Sequence, residues 1–518
     1  MVNFFNKRIF ILFFFPIILG AVSVLSFQPF NFLFINFFSL PALLYLIIYV
    51  IKKSKSTYRK KPFIKNLFYL GTSYGFSFYF FNLHWIVNSM TFDDSFKIFI
   101  PFGLILIPLF LSLFFSIPII LSGLILDEKV SSIFTISILF AISDFVRSKI
   151  LTGFPWNIWL YSYSSNLESL QLLDKIGFFS LNLIAITLFF FPAIFFLRVS
   201  KKYLLISFVI TIFLSNYFYG SYKINSYFYD KKHTEKKVNF KIVSASLELS
   251  QFKESIEVAT KLIKISEPEK NKNTIFIWPE GVFMGDTFSN LKNIQNFRQL
   301  FEKNFSKNHL IVLGANTTKQ GNYYNSFLVL DNKLNIISQF DKKKLVPFGE
   351  FLPLENFLNK IGLKKITPGY TSFSKGELKQ RINLNYKNNT ISILPLICYE
   401  IIFPSIIEKN NNNFNFIINI SEDAWFGTSI GPHQHFSKAI LRSIESRKFV
   451  IRSANKGKSV FIDPTGNVIK SLEPSEAGNI ELEIPVHDKL ENQHKKSLIF
   501  LLLLITYVFT IYILRIKF

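Results

Sequence analysis

Ile391 to Pro404 reads ISILPLICYEIIFP and holds the only cysteine of the chain, Cys398. The run Ile391–Ile397 is apolar and rich in β-branched residues, the composition of a buried strand. Tyr399 and Glu400 follow at once, and Pro404 restricts the backbone soon after. A nucleophile at the end of a strand, in a sharp turn, is exposed on one side and supported by a sheet on the other. A lone Cys is otherwise one more small buried hydrophobe. The decision between the two rests on what the rest of the chain supplies.

Working outward, the chain of 518 residues is too long for one small domain. Its 50% hydrophobic content, 64 Phe and mean hydropathy of +0.31 point to membrane spans. Residues 8–26 and 30–51 are the first apolar stretches. A cleaved signal peptide is the competing reading of the first, since Lys7 and Arg8 resemble its basic leader. It fails because the second stretch follows directly, with no clear small-residue cleavage site between them. Further stretches lie near 66–90, 96–126, 130–147, 168–197, 203–220 and 497–514, which makes about eight spans at roughly 20 residues each.

Basic loops set the orientation. Lys7 and Arg8, the run Lys52–Lys65, then Arg198, Lys201 and Lys202, and finally Arg515 and Lys517 fall on one side if the N-terminus is cytoplasmic. Both termini are then inside and the polar region 222–495 is outside. The net charge of +24 suits such loops, or a surface facing anionic lipid, and no nucleic-acid motif accompanies it. A single Cys excludes an intramolecular disulfide.

Region 222–495 reads as an α/β domain. Strands are expected at Val238–Leu247, Thr274–Trp278, Leu310–Gly314, Ser326–Leu330, Ile336–Phe340, Phe416–Ile420, Phe449–Ser453 and Ser459–Ile462. Amphipathic helices are expected at 251–265, with Phe252, Ile256, Ala259 and Ile263 on one face, and at Pro432–Arg447. Lys409–Asn415 is a polar loop. The alternation argues for sheets covered by helices.

Two further stretches carry candidate chemistry. Ile277-Trp278-Pro279-Glu280 puts a carboxylate at the end of an apolar strand. Phe340–Pro353, FDKKKLVPFGEFLP, runs from a basic cluster to a second carboxylate, Glu350. Singly, each is a solvated turn or face. Together with Cys398 they form a chemically complete set for acyl transfer. A desolvated carboxylate takes the thiol proton, and an ammonium stabilises the oxyanion of the tetrahedral intermediate.

WPE, K-x-x-L-V-P-F-G-E and C-Y-E, in this order, resemble the Glu–Lys–Cys set of the nitrilase superfamily. LVPFGEFLP, ICYE and Asp423–His435 (DAWFGTSIGPHQH) are closer still to its membrane-bound branch, the apolipoprotein N-acyltransferase family. Gly153-Phe154-Pro155-Trp156 resembles a family signature more loosely. The resemblance implies a polytopic α-helical membrane domain plus an α/β nitrilase-like αββα sandwich. The domains would be 1–221, with about seven helices, then 222–495, catalytic and extracytoplasmic, and 496–518, a last transmembrane helix.

By position, the resemblance makes Glu280 the general base, Lys342 the oxyanion-stabilising lysine and Cys398 the nucleophile. Lys343 and Lys344 are rivals of Lys342 by a slip of register. Glu350, Tyr399 and Glu400 resemble residues supporting the site, and Trp425 an aromatic near a lipid-binding cleft or else a core residue. Phe340 stands where Tyr is usual and Lys344 where His is usual. Glu248 and Glu422 depart from the family pattern and put extra negative charge near the expected substrate. His433 and His435 lie two apart, share no helix face and have no acid or Cys partner set, so no metal is expected.

The implied reaction passes an acyl chain from a membrane phospholipid through a thioacyl-Cys398 to the amine of an S-diacylglyceryl-cysteine on a lipoprotein, by a ping-pong route. No cofactor and no nucleic acid are expected, and the protein would act as a monomer in the bacterial inner membrane. A membrane-tethered amidase is the alternative within enzymes. A non-catalytic transporter or lipoprotein-assembly protein is the alternative outside them. The scarcity of charged residues in the spans, Asp144 and Arg147 being the nearest exceptions, speaks against that last reading.

Overall fold

Each apolar stretch read as a span carries a helix. In chain order these are α1 (Phe15–Ser23, preceded by a wider turn over Phe10–Phe14), α2 (Asn36–Lys55), α3 (Pro62–Leu83), α4 (Ile100–Gly123), α5 (Ser131–Arg147), α6 (Phe178–Phe190), α7 (Lys202–Asp230) and a C-terminal helix, Lys496–Ile516. Among the described residues, five helical stretches are both long and apolar enough to cross a membrane: Leu33–Ser54, Asp94–Gly123, Phe178–Phe195, Lys202–Tyr227 and Lys496–Ile516. The expected helix at 168–197 is broken at Gly177, whose φ of +83° suits glycine. Large apolar side chains such as Phe208, Phe218, Leu501 and Phe509 are exposed, as a lipid-facing surface requires.

The computed structural model describes residues 8–55, 62–230, 236–249, 254–283, 285–355, 365, 372–377, 381–387, 389–410, 413–486 and 495–516. Lys7, the middle of the Lys52–Lys65 run, Phe252, part of the polar loop at Lys409–Asn415 and Lys517 lie outside the described residues. The chain divides into two compact units. One takes Met1–Val87, Ile98–Lys223 and His494–Phe518, the other Asn88–Lys97 and Ile224–Gln493. The short segment 88–97, between α3 and α4, thus groups with the second unit.

In the first unit Asp144 and Arg147 form a buried ion pair at 2.9 Å near the end of α5. Asn182 Nδ2 donates to the other Asp144 oxygen at 3.0 Å, and Arg147 Nη1 donates to the Phe154 carbonyl at 2.7 Å. The pair therefore pins the loop that contains Gly153–Trp156, with both charges compensated where water is scarce.

The second unit is built on two six-stranded sheets. The first holds β1 (Lys237–Ser244), β2 (Thr274–Ile277), β3 (His309–Lys319), β4 (Asn322–Leu330), β5 (Ile336–Asp341) and, at its edge, the strand Gly478–Pro485. The second holds β6 (Ile382–Tyr386), β7 (Asn389–Ile397), β8 (Phe416–Glu422), β9 (Phe449–Asn455), β10 (Ser459–Ile462) and β11 (Val468–Leu472). Gly478–Pro485 is then β12.

Alternation assigns the faces. Phe240, Ile242, Ile275, Ile277 and Val312 join Ile393, Ile397, Ile418, Ile420 and Ile451 in one core between the sheets. Phe276, Trp278, Ile311 and Leu313 point outward and pack with α8 (Ser255–Ser266), α9 (Phe288–Asn293) and α10 (Gln295–Asn304). α11 (Pro404–Lys409) and α12 (Gly431–Ser446) follow β7 and β8, and α12 packs against β9 and β10. The order helix, sheet, sheet, helix is the expected sandwich. β1, β2 and β3 run parallel, as do β7, β8 and β9. The residues after β2, β7 and β8 therefore emerge at strand carboxyl ends, where α/β sheets place their sites.

Candidate active site

Cys398 follows the last residue of β7 with φ of +47°, a left-handed conformation that few non-glycine residues adopt. It opens a short tight helix, Cys398–Ile402, at the strand end where the sequence predicts a sharp turn. Glu400 holds this turn. Its Oε2 accepts the Ile397 N–H at 3.0 Å, and its Oε1 accepts the N–H groups of Lys343 at 2.9 Å and Lys344 at 3.1 Å. One buried carboxylate thus ties the exit of β7 to the exit of β5. Burial raises its proton affinity, against the pull of those three N–H donors. Tyr399 is buried and packs edge-on against Phe403.

Lys342 leaves β5 with its side chain buried. Its Nζ donates to Glu350 Oε1 at 2.8 Å and to Glu280 Oε1 at 3.2 Å. Burial opposes the ammonium, but Glu280 and Glu350 outweigh it and hold the lysine charged far above its ordinary range. The structure therefore brings Lys342, and not its rivals, to the carboxylates. Lys343 and Lys344 lie less buried, with their ammonium groups over the Phe340 and Phe403 rings.

Glu280, two residues beyond Trp278, is buried and gripped on both oxygens. Asn325 Nδ2 reaches Oε1 at 2.7 Å, and the Glu422 N–H reaches Oε2 at 2.9 Å. Asn325 also donates to Glu350 Oε1 at 2.9 Å, and the Val346 N–H donates to Glu350 Oε2 at 2.9 Å. Gly314 leaves room for this turn, since a Cβ there would meet Glu280 Cα at 2.6 Å.

The thiol of Cys398 lies within the fields of both partners. Burial raises its proton affinity strongly and the Glu280 charge adds to that, while Lys342 acts the other way. The resting group is therefore a thiol. A carboxylate beside it can take its proton as the sulfur attacks, and the fixed ammonium can meet the charge that develops on a carbonyl oxygen.

Sequence reasoning missed Asn325. It stands at the polar start of β4, whose expected beginning was Ser326, and a lone Asn there gives no signal. It also missed a buried network behind the cysteine. Asp423 Oδ1 lies 2.9 Å from His435 Nδ1, and Asp423 Oδ2 accepts from Arg452 Nη2 at 2.7 Å. His435 is thus engaged inside the protein.

The two acidic departures both find partners within the protein. Glu422 is buried, with its carboxyl accepting from Asn455 Nδ2 at 2.9 Å and the Ala424 N–H at 3.1 Å. Burial pushes its proton affinity well up, because an uncompensated charge there would be costly. Glu248 is paired with Lys456. Trp425 is half-buried, not a core residue, and its ring meets that of Phe92 edge-on at 5.2 Å.

Two family descriptions match the chain. Residues 251–488 match the carbon-nitrogen hydrolase family, and residues 19–191 match the apolipoprotein N-acyltransferase N-terminal domain. An apolipoprotein N-acyltransferase from Allorhizobium ampelinum is 29% identical over 466 residues, covering 88% of this chain and 86% of that protein. One from Rhodopseudomonas palustris is 28% identical over 487 residues, covering 90% and 88%. With the apolar helices in one half and the buried Glu280, Lys342 and Cys398 in the other, the chain belongs to the apolipoprotein N-acyltransferase family.

Proposed function

We propose that the protein N-acylates the N-terminal cysteine of lipoproteins, using a membrane phospholipid as donor and Cys398 as the acyl carrier. Glu280 takes the thiol proton as Sγ attacks the ester carbonyl. The bond to the glyceryl oxygen breaks, and Glu280 returns the proton to that oxygen. The products of this half are a thioester and a lysophospholipid. The α-amine of an S-diacylglyceryl-cysteine then attacks the thioester, gives its proton to Glu280, and displaces the sulfur, which recovers the proton. Lys342 faces the oxyanion in both halves. Glu350 and Asn325 hold Lys342 and Glu280 in register, Glu400 holds the elbow, and Trp425 lies at the lipid side of the site.

The observation that carries this reading is the buried Lys342 between Glu280 and Glu350, in the field of the only thiol, on a chain rich in apolar helices. Arg8, Lys52, Lys53, Arg198, Lys201, Lys202 and Arg515 support a topology with both termini cytoplasmic and residues 222–495 periplasmic. The protein acts in the inner membrane as a monomer.

The test is intact-mass analysis of the purified protein after incubation with phospholipid, before and after neutral hydroxylamine. A hydroxylamine-labile fatty-acyl mass on the peptide containing Cys398, discharged by a diacylglyceryl lipopeptide with transfer to its amine, is the expected result. Release as free fatty acid, even with the lipopeptide present, would make the protein a hydrolase instead. Absence of any adduct and of any turnover would remove the catalytic reading.

A further inference from the structure

Ser421 lies near the end of β8, two residues before Asp423, and has no part in the mechanism above. It is fully buried, and its hydroxyl donates to Asp423 Oδ1 at 2.6 Å. In the register of β7 and β8 Ile397 pairs with Ile420, which sets Ser421 beside Cys398, and the serine side chain there favours the thiolate. A hydroxyl carries one proton and two lone pairs. In the resting site its proton goes to the carboxylate, which leaves the lone pairs to accept from the thiol.

Asp423 is held from other directions as well. His435 Nδ1 stands at 2.9 Å and Arg452 Nη2 at 2.7 Å, while Arg452 Nη1 donates to Asn419 Oδ1. Burial opposes the charge of Asp423, but Arg452 and His435 outweigh it and keep the carboxyl well below the usual range. On its far side, His435 Nε2 lies 3.3 Å from the Cys398 carbonyl oxygen. The contacts leave Cys398 at its sulfur and return to it at its main chain, through none of the residues Glu280, Lys342 or Glu350.

We propose that the Ser421 hydroxyl is a further catalytic group, turning from Asp423 to the sulfur whenever Cys398 loses its proton, with Asp423, His435 and Arg452 as its positioning residues. The inference rests on Cys398 being the nucleophile. Sulfur carries negative charge twice: as Glu280 takes its proton during attack on the ester, and as it leaves when the amine breaks the thioester. At both moments the serine proton changes direction and stays on the serine oxygen, so no atom is gained or lost. Asp423 can release it because His435 and Arg452 remain. The serine also stands between two groups that repel each other, since the Asp423 charge works against a thiolate.

The groups facing Cys398 come from several elements: Glu280 after β2, Lys342 after β5, Asp423 after β8, His435 on α12 and Arg452 on β9. Ser421→Ala leaves them all in place. With one cysteine in the chain, iodoacetamide reports on Cys398 directly, with no acyl substrate present. In S421A the pH of half-maximal alkylation rises by about one unit, the effect of losing a hydrogen bond to a charged acceptor. Thioester formation from phospholipid slows by about tenfold in the same variant. S421T, which keeps the hydroxyl, stays close to wild type. Should S421A fail to fold, S421T against S421V, a pair matched in shape, decides the same question.

An alkylation profile unmoved in S421A, or shared by S421T and S421V, overturns the proposal. Failure of the wild-type protein to form a thioester would overturn the acyltransferase reading instead, and would leave the alkylation result standing.

Discussion

Lys342 is one of three consecutive lysines, and what separates it from its neighbours is which part of each residue the site uses. Lys342 contributes its ammonium, buried against Glu280 and Glu350. Lys343 and Lys344 contribute main-chain N–H groups to Glu400, and alanine keeps those. Lys342→Ala is therefore expected to lower acyl transfer to a lipopeptide amine by about a hundredfold or more, as for other lost oxyanion donors. Lys343→Ala and Lys344→Ala should each stay within about threefold of wild type, because alanine keeps the N–H groups that Glu400 accepts from, and the ammonium contacts with the Phe340 and Phe403 rings do not reach the carboxylates. Equal losses at the three positions would contradict the assignment. Glu280, Lys342 and Cys398 were legible because each sits in a linear motif directly after a strand. Asn325 was not, because its partners Glu280 and Glu350 lie far from it in the chain, and Ser421 was not, because only the pairing of β7 with β8 sets it beside Cys398.

At the scale of elements, β3 sets how far the Glu280 turn may approach. Gly314→Ala would place a Cβ 2.6 Å from Glu280 Cα and 3.0 Å from the Gly281 nitrogen, both backbone atoms that cannot swing aside. Overpacking of this kind costs about 1–3 kcal/mol. A lower thermal midpoint together with reduced acyl transfer is expected, measured by thermal unfolding and the lipopeptide assay. An unchanged midpoint with full activity would mean that the turn yields freely. The central strands were legible as apolar runs. Those the sequence reading missed, β6, β11 and β12, all lie at sheet edges. Ile382–Tyr386 alternates buried and exposed, and Val468–Leu472 and Gly478–Pro485 carry Lys and Glu among their apolar residues. An edge strand is covered on fewer sides and can carry charge that a central strand cannot. Its sequence therefore reads as loop.

At the scale of the molecule, the proposed topology puts Lys201 and Lys470 on opposite sides of the membrane. Both are exposed. In a Cys398→Ser background, Lys470→Cys should react with a membrane-impermeant maleimide applied to spheroplasts, and Lys201→Cys should react only after lysis. The reverse pattern would invert the orientation.

The segment Asn88–Lys97 bears on how such a protein can change. Asn88 Nδ2 donates to the Phe426 carbonyl at 2.7 Å, and Phe92 packs on Trp425 in the same turn. The unit that holds the thiol is thus stitched from pieces on either side of several apolar helices. It is not a cassette that could be lifted out at two cut points or exchanged for that of a relative. A fragment confined to the region after α7 would leave the turn from Trp425 to Gly427 bare. Drift in a loop between two apolar helices must then be matched by drift beside the nucleophile, so both halves of the gene evolve under one constraint.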